Sequence, residues 1–116
     1  MNLFMWYPKC STCKKAYQKI KELGIEVTLR DIKENNPNVE ELKSWCQKSN
    51  LELKKFFNTS GLLYKELNLK EKLSTMSEEE QLNLLASNGM LVKRPILITK
   101  DKIIIGYKEK EYEELI

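Results

Sequence analysis

Apolar residues recur along the chain in two different periods, and the switches between them mark out its elements. Residues 2–7 (NLFMWY) form a short apolar run ended by Pro8, the pattern of a buried strand. From Ser11 to Leu23 the apolar positions Ala16, Tyr17, Ile20 and Leu23 fall at helical spacing, and Gly24 stands where a C-terminal cap belongs. Ile25 to Ile32 then alternates, with Ile25, Val27 and Leu29 set against Glu26, Thr28 and Arg30, which predicts a second strand. Strand, helix and strand in about 30 residues make a βαβ unit, whose two strands run parallel.

The turn-rich segment ENNPN at 34–38 closes off this unit. Asn38 with Glu41 reads as a capping box opening a helix over Val39 to Lys48. Leu53, Phe56 and Phe57 begin a short helical piece, and Leu62 to Leu69 predicts another. Ser77 with Glu80 forms a second capping box before Gln81 to Ser87, and Asn88-Gly89 ends that helix. Pro95 opens a hairpin of two apolar runs, Ile96 to Thr99 and Lys102 to Gly106, around Lys100-Asp101. A last helix is expected over Glu109 to Ile116. No repeat, linker or low-complexity stretch interrupts this order, so residues 1–116 read as a single domain. With residues of about 38–88 taken as a helical insertion, what remains is a βαβ-ββα mixed sheet. That is the thioredoxin-like α/β arrangement.

Composition narrows the function more by what is missing than by what is present. At 41% hydrophobic and 32% charged residues, the chain has the makeup of a globular protein and not of a disordered one. No apolar run approaches the roughly 18 residues of a membrane span. The start, MNLFMWYPK, lacks the features of a secretory signal, which leads us to expect a cytoplasmic protein, where structural disulfides are rare. The net charge is +3, and the acidic runs Glu78 to Glu80 and Glu109 to Glu114 interrupt any basic stripe, so no nucleic-acid footprint is expected. Histidine is absent altogether, which removes Cys-His and Ser-His-Asp nucleophile systems and imidazole metal ligands together. Three cysteines without histidine also fall short of a four-ligand zinc site, so no metal is expected.

The candidate chemistry lies in WYPKCSTCKKA, residues 6–16, where Cys10 and Cys13 stand three apart at the predicted start of the first helix. Unpaired N–H groups and the positive end of the dipole favour a thiolate there, and Lys9, Lys14 and Lys15 add positive charge nearby. Cys10 is therefore the candidate nucleophile, and Cys13, one turn on, the candidate resolving thiol. Cys46 shares an apolar helical stripe with Val39, Leu42 and Trp45 and reads as core filler. Arg94-Pro95 precedes the hairpin. In a thioredoxin-like sheet this loop faces the helix start, so a cis bond would bring Arg94 over Cys10 as an oxyanion or carboxylate clamp, with Lys93 and Lys108 adding charge.

Several stretches together resemble the glutathione-linked arsenate reductase and Spx family, in its short C-x-x-C branch. They are Cys10 with its S-T-C-K-K-A continuation, F-F-N-T-S-G at Phe56 to Gly61, Y-K-E-L-N-L at Tyr64 to Leu69, K-R-P-I at Lys93 to Ile96, and I-G-Y-K at Ile105 to Lys108. The resemblance covers practically the whole chain in order. It implies that Cys10 is the catalytic cysteine and Arg94 the arginine before a cis-proline, Pro95. Lys108 falls where the reductases carry another arginine, and Asn58 at or beside the place of a third. Two of three oxyanion-binding arginines are thus replaced, one by a cation without the bidentate fork and one by a neutral amide, which implies poor handling of arsenate.

The resemblance leads to two expectations. In the first, a monomeric oxidoreductase holds no bound cofactor and uses glutathione or another thiol as co-substrate. Cys10 attacks, Arg94 holds the anionic group of a small or protein substrate, and Cys13, glutathione, glutaredoxin or thioredoxin completes the cycle. In the second, a regulator of the Spx type binds the C-terminal domain of the RNA polymerase α-subunit and uses Cys10 and Cys13 as an oxidation switch. Regulators of that type continue beyond the last family helix with a basic stretch and carry a glycine in the segment matching SNLEL (residues 49–53), features that favour the enzyme for this sequence.

Overall fold

The structure, a computed structural model, describes residues 2–116. Its centre is a four-stranded sheet built from β1 (Leu3–Trp6), β2 (Thr28–Asp31), β3 (Ile96–Ile98) and β4 (Ile103–Ile105), in the order β2-β1-β3-β4. β1 pairs parallel with β2 and antiparallel with β3, and β3 pairs antiparallel with β4. The crossover between the parallel strands is α1 (Ser11–Glu22), and between β2 and β3 run α2 (Val39–Ser49), α3 (Leu62–Glu66), α4 (Leu69–Lys72) and α5 (Glu78–Ser87). A final helix, α6 (Glu109–Glu113), follows the hairpin. This is the thioredoxin-like sheet that the order of elements predicts, with the helical segment inserted ahead of the hairpin.

Strand alternation divides the interior in two. Successive side chains of a strand point to opposite faces. Phe4, Leu97 and Ile104 therefore meet Ala16 and Ile20 of α1 and Tyr112 of α6 on one side. On the other side Met5, Ile96, Ile103 and Ile105 pack on Leu42, Trp45, Phe56, Phe57 and Leu85 from the inserted segment. Each large apolar side chain taken fully out of water contributes about 1.5–3 kcal/mol. Because both faces are covered there, β1, β3 and β4 read as nearly continuous apolar runs, whereas the edge strand β2 (TLRD) does not.

Polar ties hold the layers in register. Lys19 of α1 reaches Glu109 at 3.3 Å and Glu113 at 3.0 Å, joining α1 to α6. Arg30 of β2 grips Glu41 of α2 in a fork, with contacts of 2.6 and 2.9 Å, and Lys48 of α2 donates to the Thr99 carbonyl at the hairpin end. Both predicted capping boxes form, Asn38 with Glu41 and Ser77 with Glu80. Gly24 adopts φ +71° just past α1, the conformation its cap position calls for. Gly89 is required by space, since a Cβ there would lie 1.8 Å from the Ile32 carbonyl oxygen.

Several boundaries differ from the sequence reading, among them the start of α5, at Glu78 instead of Gln81. The alternating run from Ile25 pairs only from Thr28, whose N–H donates to the Asn2 carbonyl at 2.8 Å. Ile25 and Val27 instead pack beside the Phe4–Ile20 cluster, so their alternation reflects burial before it reflects pairing. The helix expected over Leu62 to Leu69 is broken at Asn68, which takes a left-handed φ of 54° between α3 and α4. The last helix ends at Glu113 instead of Ile116. Among the described residues no helix is long and apolar enough to cross a membrane.

Candidate active site

The segment leaving β1 turns back on itself at once. The Cys10 N–H donates to the Tyr7 carbonyl at 2.9 Å, and the Cys10 carbonyl accepts the first bond of α1 from Lys14 at 3.0 Å. Cys10 thus occupies the N-cap of α1 with an extended backbone (φ −85°, ψ 124°). As a thiol it makes no capping hydrogen bond, so the N–H groups of the first turn remain available to a sulfur that carries negative charge. Cys13, one turn on, points inward with Ala16 and Ile20 and is fully buried, its sulfur accepting the Tyr7 N–H at 3.5 Å. Both thiols are free.

The two sulfurs are polarised in opposite senses. Partial burial works against ionisation of Cys10, but the N–H of Cys13, the Cys13 thiol, the N–H of Thr12 and the Arg94 guanidinium outweigh it and hold Cys10 below the ordinary thiol range. Burial dominates at Cys13, opposed by the Tyr7 N–H; giving its proton to Cys10 and lying beside that sulfur's charge add to it, and its pKa is pushed up to about 12. Of the two, Cys10 is the sulfur that gives up its proton first, with the Cys13 thiol as a donor to it. Lys9, Lys14 and Lys15 are all exposed, and the positive charge acting on Cys10 is that of Arg94. The flanking lysines therefore do not have the part the sequence suggested for them.

Arg94-Pro95 is a cis peptide bond, as the sequence reading expected. Pro95 is buried, and its carbonyl accepts the Gly106 N–H at 2.7 Å, which fastens the end of β4 to this loop. The Arg94 guanidinium sits 5.3 Å from the centre of the Tyr7 ring, with Nη1 3.5 Å from the Met90 carbonyl. An isolated antiparallel bridge, Phe57 with Val92, pins the inserted segment alongside. Its flanking bonds, Lys93 N–H to Phe56 carbonyl at 2.7 Å and Asn58 N–H to Leu91 carbonyl at 2.8 Å, bring Asn58 and Lys93 to the same place.

The result is a cleft of about 480 Å³ that gathers Cys10, Asn58, Lys93, Arg94 and Lys108 from four separate parts of the chain. Cys13 lies beneath Cys10 and Pro95 behind Arg94, outside the lining. Sequence reasoning missed Thr12, Ser60 and Tyr107, which also line it. Thr12 is inside the C-x-x-C motif, and the other two belong to motifs that carry the family resemblance, so their neighbours were the available signal. The Ser60 hydroxyl donates to Asn58 Oδ1 at 3.3 Å. A Cβ at Gly61 would come within 2.6 Å of Asn58 Nδ2, so this glycine leaves room for the amide.

Cys46 is elsewhere. It is half-buried at the edge of the core beside Leu42 and Trp45, its thiol donating to the Leu51 carbonyl at 3.3 Å. It faces a different cleft, one that Glu52 and Glu78 help to line.

Fold and site together define a thioredoxin-like protein with a C-x-x-C pair at the head of its first helix and a cis-proline in the adjoining loop. A model of the ArsC family matches residues 5–115, and the chain belongs to that family. It is 57% identical over 111 residues to the protein YusI of Bacillus subtilis, covering 96% of this chain and 94% of that one. The regulatory protein MgsR of B. subtilis is 32% identical over 112 residues, covering 97% and 87%. A crystal structure from Streptococcus mutans UA159, described as that of a possible arsenate reductase, superposes with a TM-score of 0.86 at 50% identity, covering 93% and 92% of the two chains.

Proposed function

We propose that the chain is a thiol–disulfide oxidoreductase of the arsenate-reductase type, with Cys10 as nucleophile and Cys13 as resolving thiol. The observation that carries this reading is the opposed state of two thiols one turn apart: Cys10 part-exposed in a cleft and held toward the thiolate, Cys13 sealed beneath it and held as the thiol. The Cys10 thiolate attacks one sulfur of a substrate disulfide, forming a mixed disulfide, and the other substrate sulfur leaves as a thiolate. Cys13 then gives up its proton to the departing sulfur and attacks Cys10. The S–S bond to the substrate breaks, and the Cys10–Cys13 disulfide remains. The substrate has gained two electrons, and a thiol reductant (glutathione, or the dithiol of a glutaredoxin or thioredoxin) returns them to the enzyme. Arg94, with Lys93 and Lys108 at the cleft wall, orients an anionic group of the substrate, while Asn58 and Ser60 offer neutral hydrogen-bonding partners.

Similarity to MgsR favours a second reading, in which the pair is a redox switch within a transcriptional regulator and the partner is the RNA polymerase α-subunit. There, oxidation of Cys10 and Cys13 would change affinity for the partner instead of completing a catalytic cycle.

Oxidised glutathione tests the first reading. With the unmodified chain, mass spectrometry should find a Cys10–Cys13 disulfide and free glutathione. With Cys13→Ser it should find a persistent glutathione adduct on Cys10. Adducts that form first on Cys46 would contradict the assignment. Steady turnover with excess reduced glutathione separates an enzyme from a switch.

A further inference from the structure

The cleft at Cys10 does not end at its own walls. Lys93, Ile105 and Lys108 also line a second cleft of about 470 Å³, and that cleft shares Lys54, Lys55 and Thr59 with a third of about 560 Å³ running toward Lys70. Six cations line this continuous path: Lys54, Lys55, Lys70, Lys93, Arg94 and Lys108. Among the described residues, no aspartate or glutamate lines these three clefts. The chain carries 17 acidic residues against 20 basic ones; another cleft takes in Asp101 and Glu114, while Glu52 and Glu78 line a cleft that borders the path at Leu51, Lys54 and Gln81, so the acid-free lining runs from Cys10 to Lys70 and ends at that border. From outside the path, Glu52 pairs with Lys54 at 3.3 Å and Glu111 with Lys108 at 3.7 Å. The other four cations make no ion pair among the described residues.

Each compartment alone has the size of a site for one small molecule, about 300–1,000 Å³. Three in sequence suit an extended chain. At the rim, Leu62 follows Gly61 of the Cys10 cleft and is 73% exposed, which leaves an apolar contact beside the mouth. Phe57 and Tyr64 along the path are buried, which leaves the part-exposed Tyr107 of the Cys10 cleft as the one ring, among the described lining residues, on which a nucleotide base could stack.

From this path we infer that the chain takes, as its substrate, a polypeptide disulfide flanked by acidic residues, laid along the basic groove with its sulfur at Cys10. This deepens the reading of the chain as an oxidoreductase and rests on it for the chemistry; the binding surface stands apart from that chemistry.

The test separates the two. A short fluorescent peptide with serine in place of its cysteine and glutamates to one side should bind at least about tenfold more tightly at low salt than the glutamine version, since several exposed ion pairs each add a little. Salt should remove the preference. Changing Lys55→Glu and Lys70→Glu together should bring the ratio close to one, with circular dichroism confirming that the fold is kept. Equal binding of the two peptides, or tighter binding of a single-stranded DNA oligonucleotide than of the acidic peptide, would overturn the assignment. The cysteine peptides, as mixed disulfides, should show the same ranking in their rate of exchange with Cys10. Selective binding without exchange would sink the oxidoreductase reading and leave the groove standing. Exchange without selectivity would sink the groove.

Discussion

Cys10 and Cys46 are exposed to a similar, intermediate degree, and each opens onto a cleft, yet their surroundings drive them in opposite directions. Cys10 caps the N-terminus of α1, where free N–H groups and Arg94 favour negative charge, and its pKa is lowered. Cys46 lies in the second half of α2 and donates its proton to a backbone carbonyl; burial, followed by the charge of Glu78, raises its pKa. Access alone therefore does not make a cysteine reactive in this molecule. What decides it is whether N–H donors and a cation outweigh the cost of burial, as they do at Cys10 and not at Cys46.

The largest effect should come from removing one sulfur or the other. Cys10→Ser should lower the rate of exchange with a small disulfide by at least about 1,000-fold, because a serine hydroxyl at neutral pH is a poor nucleophile. Cys46→Ser should change it less than about twofold. Stopped-flow measurement with an aromatic disulfide reads both, and comparable losses in the two variants would break the contrast.

A smaller effect concerns which anion the Cys10 cleft can hold. Asn58 and Lys108 line it where a bidentate guanidinium would grip an oxyanion better, and a charged donor missing from such a site costs about 1.5–3 kcal/mol, or about 10- to 150-fold in rate. Arsenate reduction with glutathione should therefore be feeble in the unmodified chain and rise about tenfold in Asn58→Arg. Brisk arsenate turnover without the substitution would contradict this.

The smallest effect is on stability. Cys13 is a thiol in the fold until about pH 12, but in the unfolded chain it ionises near the ordinary value of 9.0. A group whose folded pKa is raised stabilises the fold fully below its unfolded pKa and loses that contribution as pH rises above it. By pH 10 the loss should reach about 1–1.5 kcal/mol. Urea titrations at pH 8 and pH 10 should show it, and Cys13→Ala should flatten it in part; Cys46, Tyr107 and Tyr112, all raised, add to the remainder in the same direction. An unchanged slope in Cys13→Ala would mean that Cys13 ionises as freely in the fold as out of it.

Much of this was legible in the sequence because local chemistry and global fold agree. The period change at Gly24, the capping boxes at Asn38 and Ser77, and the apolar hairpin after Pro95 each name an element, and their order names the sheet. What escaped depends on contacts across the chain. Asparagine tolerates a left-handed φ, but the helical spacing around Asn68 continues across it and does not mark the split. Thr12, Ser60 and Tyr107 meet only because a bridge between Phe57 and Val92 and a bond from Gly106 to Pro95 bring three loops together. The lysines beside the C-x-x-C motif were misleading for a related reason: proximity in sequence put them near Cys10, but Lys14 and Lys15 on α1 and Lys9 in the turn before it all face solvent.

The most direct test is to alkylate the native chain across a pH series and follow each cysteine separately by mass spectrometry. Cys10 should gain reactivity with a midpoint below the ordinary thiol value, Cys46 with a midpoint above it, and Cys13 should stay unlabelled until the medium is strongly alkaline. If Cys10 and Cys46 titrate together, the helix start and Arg94 do not activate the thiol, and the assignment of Cys10 as nucleophile is contradicted.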